Sequence, residues 1–280
     1  MEKVILSIRY MDGKIEEIKR RLEERMHIEV LLQDKPCGAL ENALILTDDG
    51  KTAQECVSKK WPCAAILHDK NRQEHFPMTV YCLEKIEEIE SDYFTKVYQR
   101  AKGIPWTILE TQRLKLREIT LEDVPRLYEL YADPDITKYM ENLYADPLEE
   151  MEYTREYIKN VYEFWGYGIW LMIKKDTGEI IGRAGVESKE GEDGLELGFM
   201  LGTAYQHQGY AYEGCHAILQ YAGKELEEDN IRACVHRENK ASIKLCERLG
   251  MERALEQVGA LQDEYVRYYL KRPLKSIKMH

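Results

Sequence analysis

Apolar positions along this chain recur in two alternating periods. Short apolar runs at residues 4–6, 28–32, 43–47, 64–67 and 80–83 have the length of buried strands. Between the first two runs, Ile15, Ile18, Leu22 and Met26 share one face of an otherwise charged helix. Residues 51–60 also read as helical, and residues 91–101 form a further helix with Phe94, Val97, Tyr98 and Ala101 on one side. Short apolar strands alternating with helices imply a mainly parallel sheet covered on both faces. Gly103-Ile104-Pro105-Trp106 then stops the pattern, because glycine ends helices well and proline cannot continue one. A first domain over residues 1–104 and a second over residues 105–280 follow, with Trp106 either an interdomain wedge or a cap on a core edge.

In the second domain, residues 114–119 alternate as a half-buried strand does. Thr120 and Asp123 mark a helix start with Val124, Leu127, Tyr128 and Tyr131 as its buried stripe and Pro125 near the first turn. Asp133-Pro134-Asp135 ends that helix, and an aromatic loop carries Tyr139 and Tyr144. A long helix then runs from about Leu148 to Trp165, with Thr154, Tyr157, Ile158, Val161, Tyr162 and Trp165 aligned. Residues 168–173 and 179–186 flank Asp176-Thr177-Gly178 as a hairpin does. Residues 195–201 and 231–236 read as strands, residues 239–250 as a helix, residues 264–270 as a last antiparallel strand, and residues 271–280 as a basic tail.

With 280 residues the chain is long enough for two cores. Its net charge of −11 is interspersed along helices, which argues against a general nucleic-acid binder. No apolar run is long enough to span a bilayer, and the N-terminus lacks the sustained apolar core of a signal peptide. Seven cysteines without a Cys-x-x-Cys pair fit reduced thiols, no metal site and a cytoplasmic protein.

The stretch around which the second domain is organised begins at Leu195-Glu196-Leu197-Gly198-Phe199-Met200-Leu201. It breaks at Gly202, passes through Gln206-His207-Gln208-Gly209-Tyr210-Ala211 and enters a helix with Ala211, Cys215, Ile218, Leu219, Ala222 and Leu226 on one face. The first-turn amides of a helix have no intrahelical partners and lie at the positive end of its dipole, so a glycine there lets a phosphate approach bare backbone. Gln-x-x-Gly-x-Ala after a strand resembles the pyrophosphate loop of the GNAT superfamily of acyl-CoA-dependent N-acetyltransferases. Arg113 to Glu118 with Glu122-Asp123 upstream, and Asn239-Lys240-Ala241-Ser242 downstream, resemble its RimJ/RimL-like branch. The fold class expected is α/β, with a small Rossmann-like parallel-sheet domain followed by a GNAT mixed-sheet α+β domain.

The resemblance implies acetyl-CoA as co-substrate and a primary amine as acceptor, whether a peptide N-terminus, a polyamine or another small amine; the charge balance and the lack of a spanning apolar run argue against nucleic acid or membrane as partner. It places the diphosphate on the backbone of Gln206, His207, Gln208, Gly209, Tyr210 and Ala211, and pantetheine along Phe199, Met200 and Leu201. It makes Asn239 both a helix cap and a cofactor contact. Glu196 interrupts an apolar strand and is the candidate base, acting through a water, unless it forms a structural pair with Arg183; Glu187 and Glu118 are weaker substitutes. Cys246 stands where many members carry a tyrosine that acts as the acid, with Ser242 the alternative donor one turn away, although a cysteine on an amphipathic helix is more often packing. The tyrosine-rich segment suggests an acceptor pocket including Tyr139, Tyr144 and Tyr167, in which ring faces attract a cation, while Tyr157 and Tyr162 read as core.

Two other readings stand beside the transferase. One is a non-catalytic acyl-CoA sensor or interaction protein. The other is magnesium-dependent phosphate chemistry at Asp48 and Asp49, which follow a strand and faintly resemble the receiver and haloacid-dehalogenase-like folds; the bland alternative is that they cap the next helix.

Overall fold

The computed structural model describes residues 1–254 and 264–270 except Asp12, Gly38, Ala39, Glu41, Thr79 and Glu87; the expected basic tail lies outside them. The chain divides into two compact units, residues 1–106 and 107–280. Among the described residues no helix is long and apolar enough to cross a membrane.

The first unit runs β1 (Lys3–Ser7), α1 (Ile15–Met26), β2 (Glu29–Leu32), β3 (Ala43–Thr47), α2 (Gly50–Ser58), β4 (Cys63–Leu67), β5 (Tyr81–Glu84) and α3 (Ser91–Ala101). Its five strands are all parallel, in the order β2-β1-β3-β4-β5. Successive side chains of a strand face opposite ways, so each apolar run feeds two cores. Val4, Leu6, Leu44 and Leu46 pack with Ile18 and Leu22 of α1 and with Phe94 and Val97 of α3, whereas Ile5 and Ile45 pack with Ala53 and Cys56 of α2. Trp106 belongs to this unit. Its indole N–H donates to the Lys96 carbonyl at 2.7 Å and the Arg100 guanidinium lies over its ring.

The second unit begins with β6 (Thr107–Glu110), a strand that the sequence pattern does not announce, and β7 (Leu114–Arg117). Thr120 and Asp123 close a capping box, with Pro125 in the first turn of α4 (Val124–Tyr131). After α5 (Pro134–Thr137), the expected long helix is built as α6 (Pro147–Tyr157), a π-helical turn over Ile158–Tyr162 and α7 (Glu163–Trp165). A π turn inserts one residue into the helical register. Tyr162 is consequently buried, while Trp165, expected on the same stripe, is half exposed.

The sheet continues through β8 (Ile169–Lys174), β9 (Ile180–Ser188) and β10 (Leu195–Leu201), followed by α8 (Tyr210–Glu225), β11 (Ile231–His236), α9 (Lys240–Arg248), β12 (Met251–Arg253) and β13 (Tyr265–Leu270). The eight strands take the order β12-β13-β11-β10-β9-β8-β7-β6, and β10 and β11 are its parallel pair. One face packs Trp170 and Met172 beneath α8, where Trp170 meets Tyr221 edge-on. The β12 strand follows α9 almost at once, and its three residues, Met251-Glu252-Arg253, are too few for an alternating pattern to mark it.

Candidate active site

The site begins where two strands part. β10 and β11 are in register only at Leu195 with Ile231 and at Glu196 with Arg232, although β10 stays paired with β9 as far as Leu201. The β11-facing edge of residues 197–201 is therefore left open. An extended ligand backbone can bond to such an edge as an added strand does.

This opening leads into a cleft of about 810 Å³ lined by Phe199, Met200 and Leu201 of β10, by Gln206, His207, Gly209, Ala211 and Tyr212, and by Asn239, Ser242 and Leu245 at α9. Gly209 is the N-cap of α8 in the left-handed region, φ +84°. The intrahelical ladder begins with Glu213 N–H donating to the Gly209 carbonyl at 3.0 Å, so the amides ahead of it have no partner within the helix. Lys138, Lys240, Lys244 and Arg248 bring four cationic side chains to the lining against one acid, Asp135. In a chain of net charge −11 that local excess suits a phosphate-rich ligand.

Two residues hold the loop in place, of which Glu213 is one that the sequence pattern does not single out. Arg113 donates from Nε to Glu213 Oε2 at 2.7 Å and from Nη1 to the Gln208 carbonyl at 3.0 Å, and its guanidinium lies over the Tyr210 ring. Glu213 also accepts from Thr111 Oγ1 at 2.6 Å and from Arg113 N–H at 2.8 Å. Burial pushes the Glu213 carboxyl up, but the hydrogen bonds from Thr111 and Arg113 outweigh it and hold the group below its ordinary value. The only signal for Glu213 in the sequence is an acidic residue in a helix first turn, which reads equally well as ordinary dipole complement.

The expected loop residues divide by what their side chains do. Gln206 donates to the Leu201 carbonyl at 3.0 Å, and Gln208 donates to the Ala204 carbonyl at 2.9 Å, so both brace the loop. His207 lines the cleft with a left-handed backbone, φ 61°. The Tyr210 side chain is buried in the core, leaving only its backbone to serve a ligand. Asn239 caps α9 by accepting from Ser242 N–H at 3.1 Å.

Cys246 does not meet the expectation of an acid facing the thioester. It is fully buried in the core and is not part of the cleft wall, and burial pushes its thiol up to about 12. Ala241, Lys244, Leu245 and Arg248 form the cleft face of α9, Cys246 and Leu249 the core face, and Ser242 borders the two while still lining the cleft.

Glu196 is half buried, and its ion-pair partner is Arg232 at 3.4 Å, not Arg183. Arg232, almost fully buried, also pairs with Glu192 at 3.0 Å and donates to the Asp193 carbonyl at 2.6 Å. Arg183 instead lies among the ring hydroxyls of Tyr131, Tyr157 and Tyr162, which favour its charged form.

The three tyrosines expected in one acceptor pocket are separated. Tyr139 lines the main cleft and stacks on His236 of β11, ring centroids 4.8 Å apart. Tyr144 lies outside the cleft wall, its carbonyl accepting from Tyr128 Oη at 2.6 Å and its N–H donating to Glu150 at 3.0 Å. Tyr167 lines a second cavity.

In the first unit, Asp48 is fully buried. It accepts from Arg9 N–H at 2.6 Å, from Tyr10 N–H at 2.8 Å and lies 3.1 Å from His68 Nε2. Asp49 caps α2 by accepting from Thr52 N–H at 2.9 Å, while Glu74 accepts from Gly50 N–H at 3.1 Å.

A parted strand pair, a glycine-capped helix and a cationic lining together define an acyl-CoA-binding fold. The sequence matches the acetyltransferase (GNAT) domain over residues 113–252, and the chain belongs to that family of acyl-CoA N-acyltransferases. The uncharacterized N-acetyltransferase p20 of Bacillus licheniformis is 33% identical over 174 residues, covering 59% of this chain and 96% of that protein. The crystal structure of an acetyltransferase from Agrobacterium tumefaciens strain C58 superposes with a TM-score of 0.51 at 25% identity, over 59% of this chain and 94% of that one. The fold is also that of RimL, a ribosomal L7/L12 alpha-N-protein acetyltransferase, with a TM-score of 0.50 at 16% identity, over 59% and 93% of the two chains.

Proposed function

We propose that the chain transfers an acetyl group from acetyl-CoA to a primary amine by direct attack within a ternary complex. The observation that carries this reading is the parting of β10 from β11 beyond Glu196 and Arg232, continuous with a cleft that ends at Gly209. The open edge of residues 197–201 receives the pantetheine amides, the α8 amides and the loop receive the diphosphate, and the lysines and Arg248 surround the remaining phosphate charge.

Acetyl-CoA supplies an activated acyl group: the neutral amine nitrogen forms the new C–N bond as the C–S bond breaks and CoA leaves as its thiolate. Glu196, through a water, takes the proton that the amine must shed. Ser242, on the cleft wall, donates to the departing sulfur, while Cys246 contributes packing only. Arg232 fixes the Glu196 carboxylate in the sheet, so the base works from a held position rather than a mobile one.

Initial rates with acetyl-CoA and an amine panel, followed by mass spectrometry of the product, test the reading. Lines that intersect in double-reciprocal plots are expected of a ternary complex. Parallel lines would point to an acyl-enzyme, and binding of acetyl-CoA with no product from any amine would identify a sensor.

A further inference from the structure

We infer that the second cavity of this unit is a seat for a distal ammonium group of the acceptor, so that the preferred substrate is a long-chain diamine or a polyamine; the inference rests on the transferase reading above. The cavity holds about 350 Å³ and lies beside the π-helical turn, outside the main cleft. Two ring pairs border it. Tyr153 and Tyr157 come from α6 with centroids 6.1 Å apart, and Trp165 and Tyr167 come from the other end of the turn with centroids 6.0 Å apart. Glu187 and Glu156 add carboxylates to the same wall.

Aromatic faces with carboxylates recognise an ammonium group by quadrupole attraction and charge together. Glu187 has two partners, one neutral and one charged. It accepts the Tyr157 hydroxyl, a neutral donor, and its other oxygen lies 3.3 Å from Lys189, whose side chain is half exposed. Burial, with Tyr162 and Glu187 nearby, pushes the Tyr157 hydroxyl well above its ordinary value, so it stays a donor to that carboxylate. The π turn makes the arrangement by sending Tyr162 into the core and leaving Trp165 at the cavity edge.

The seat suits a cation that does not react. The amine that attacks must be neutral, and rings with carboxylates stabilise the protonated form, so the group held here is a second nitrogen. The sheet supplies the spacing. Glu187 stands opposite Glu196, and alternation places Glu187, Glu196 and Met200 on one sheet face, where Met200 reaches the main cleft and Glu187 the second cavity. Strand geometry puts the Glu187 Cα roughly 11 Å from the Phe199 Cα along and across the sheet. A diamine with a long methylene chain spans such a distance, while the shortest diamines do not.

The test uses the full chain with saturating acetyl-CoA and compares kcat/KM for diaminooctane, diaminobutane and octylamine. Diaminooctane is expected to exceed octylamine by about tenfold or more, and that ratio is expected to fall towards one in Trp165→Ala, Tyr153→Ala and Glu187→Gln. Acetyl-CoA affinity, measured by calorimetry, reports whether each variant is folded. A ratio near one in the wild type, or one the variants leave intact, overturns the inference, as does efficient acetylation of a basic peptide N-terminus with diamines ignored. If no amine turns over, the transferase reading fails separately, and calorimetric titration with diaminooctane then decides: binding weakened by Trp165→Ala supports the seat, and no binding refutes it.

Discussion

Replacing Gly209 with alanine perturbs the proposed diphosphate cradle with little else in the way. At φ +84° the added Cβ meets only Arg113 Nη2, at 3.4 Å, an ordinary contact, so the strain comes from the backbone and not from a collision. Holding a non-glycine residue in the left-handed region costs about 1–2 kcal/mol. Either the variant keeps the conformation and loses that much stability, or the loop relaxes and turns amides away from the ligand. Hydrogen bonds to a charged group contribute about 1.5–3 kcal/mol each. Since about 1.4 kcal/mol is a factor of ten in Kd, loss of one of them weakens CoA by roughly ten- to a hundredfold. Isothermal titration with CoA and with pantetheine, which lacks the diphosphate, is the assay. Gly209→Ala is expected to weaken CoA and leave pantetheine unchanged. Unaltered CoA affinity, or the same loss for both ligands, would refute the cradle.

Other perturbations separate structure from chemistry. Cys246→Ala should leave kcat unchanged while lowering Tm, because a fully buried side chain is lost, whereas Ser242→Ala should lower kcat; the reverse pattern in steady-state rates would restore Cys246 as the acid. Glu213 is held below its ordinary value in the folded chain, so its stabilising contribution is present above the unfolded carboxyl value and disappears as pH falls through the folded one. The Tm difference between wild type and Glu213→Gln should accordingly shrink on acidification, and a difference that stays constant with pH would contradict the Arg113–Glu213 anchor. Gly50→Ala would bring a Cβ to 2.5 Å from the His75 carbonyl oxygen, so that the first unit must shift or lose about 1–3 kcal/mol in denaturant melts, while a wild-type melt would mean the 74–75 segment yields freely.

Periodicity makes the larger elements legible. Val4 to Leu6 and Ala43 to Thr47 announce strands buried on both faces, and the apolar face of α8 announces its packing. The glycine-capped entrance to α8 is legible because Gly209 stands directly after a strand and a polar loop and just ahead of a helical apolar stripe. What stays hidden is short or relational. β6 and β12 are too brief for an alternating pattern to stand out, and the π turn shifts Trp165 off a stripe that spacing alone puts it on. Cys246 and Ser242 are one turn apart, yet the cleft edge runs between them. Arg113 and Glu213 are far apart in the chain, so their partnership exists only once the sheet brings α8 beside β7. Glu196 is visible as a charge in an apolar strand, but its partner Arg232 follows from the parallel pairing of β10 with β11.

The end of the first unit's sheet where β1 and β3 diverge to opposite neighbours is the place where folds of this strand order usually seat ligands. Here Glu74 already sits on the Gly50 amide, Asp49 on Thr52, and Asp48 on the amides of Arg9 and Tyr10. An incoming anion would find those donors taken by resident negative charge. The unit has in effect swallowed its own guest, and its solidity should be indifferent to phosphate in the medium.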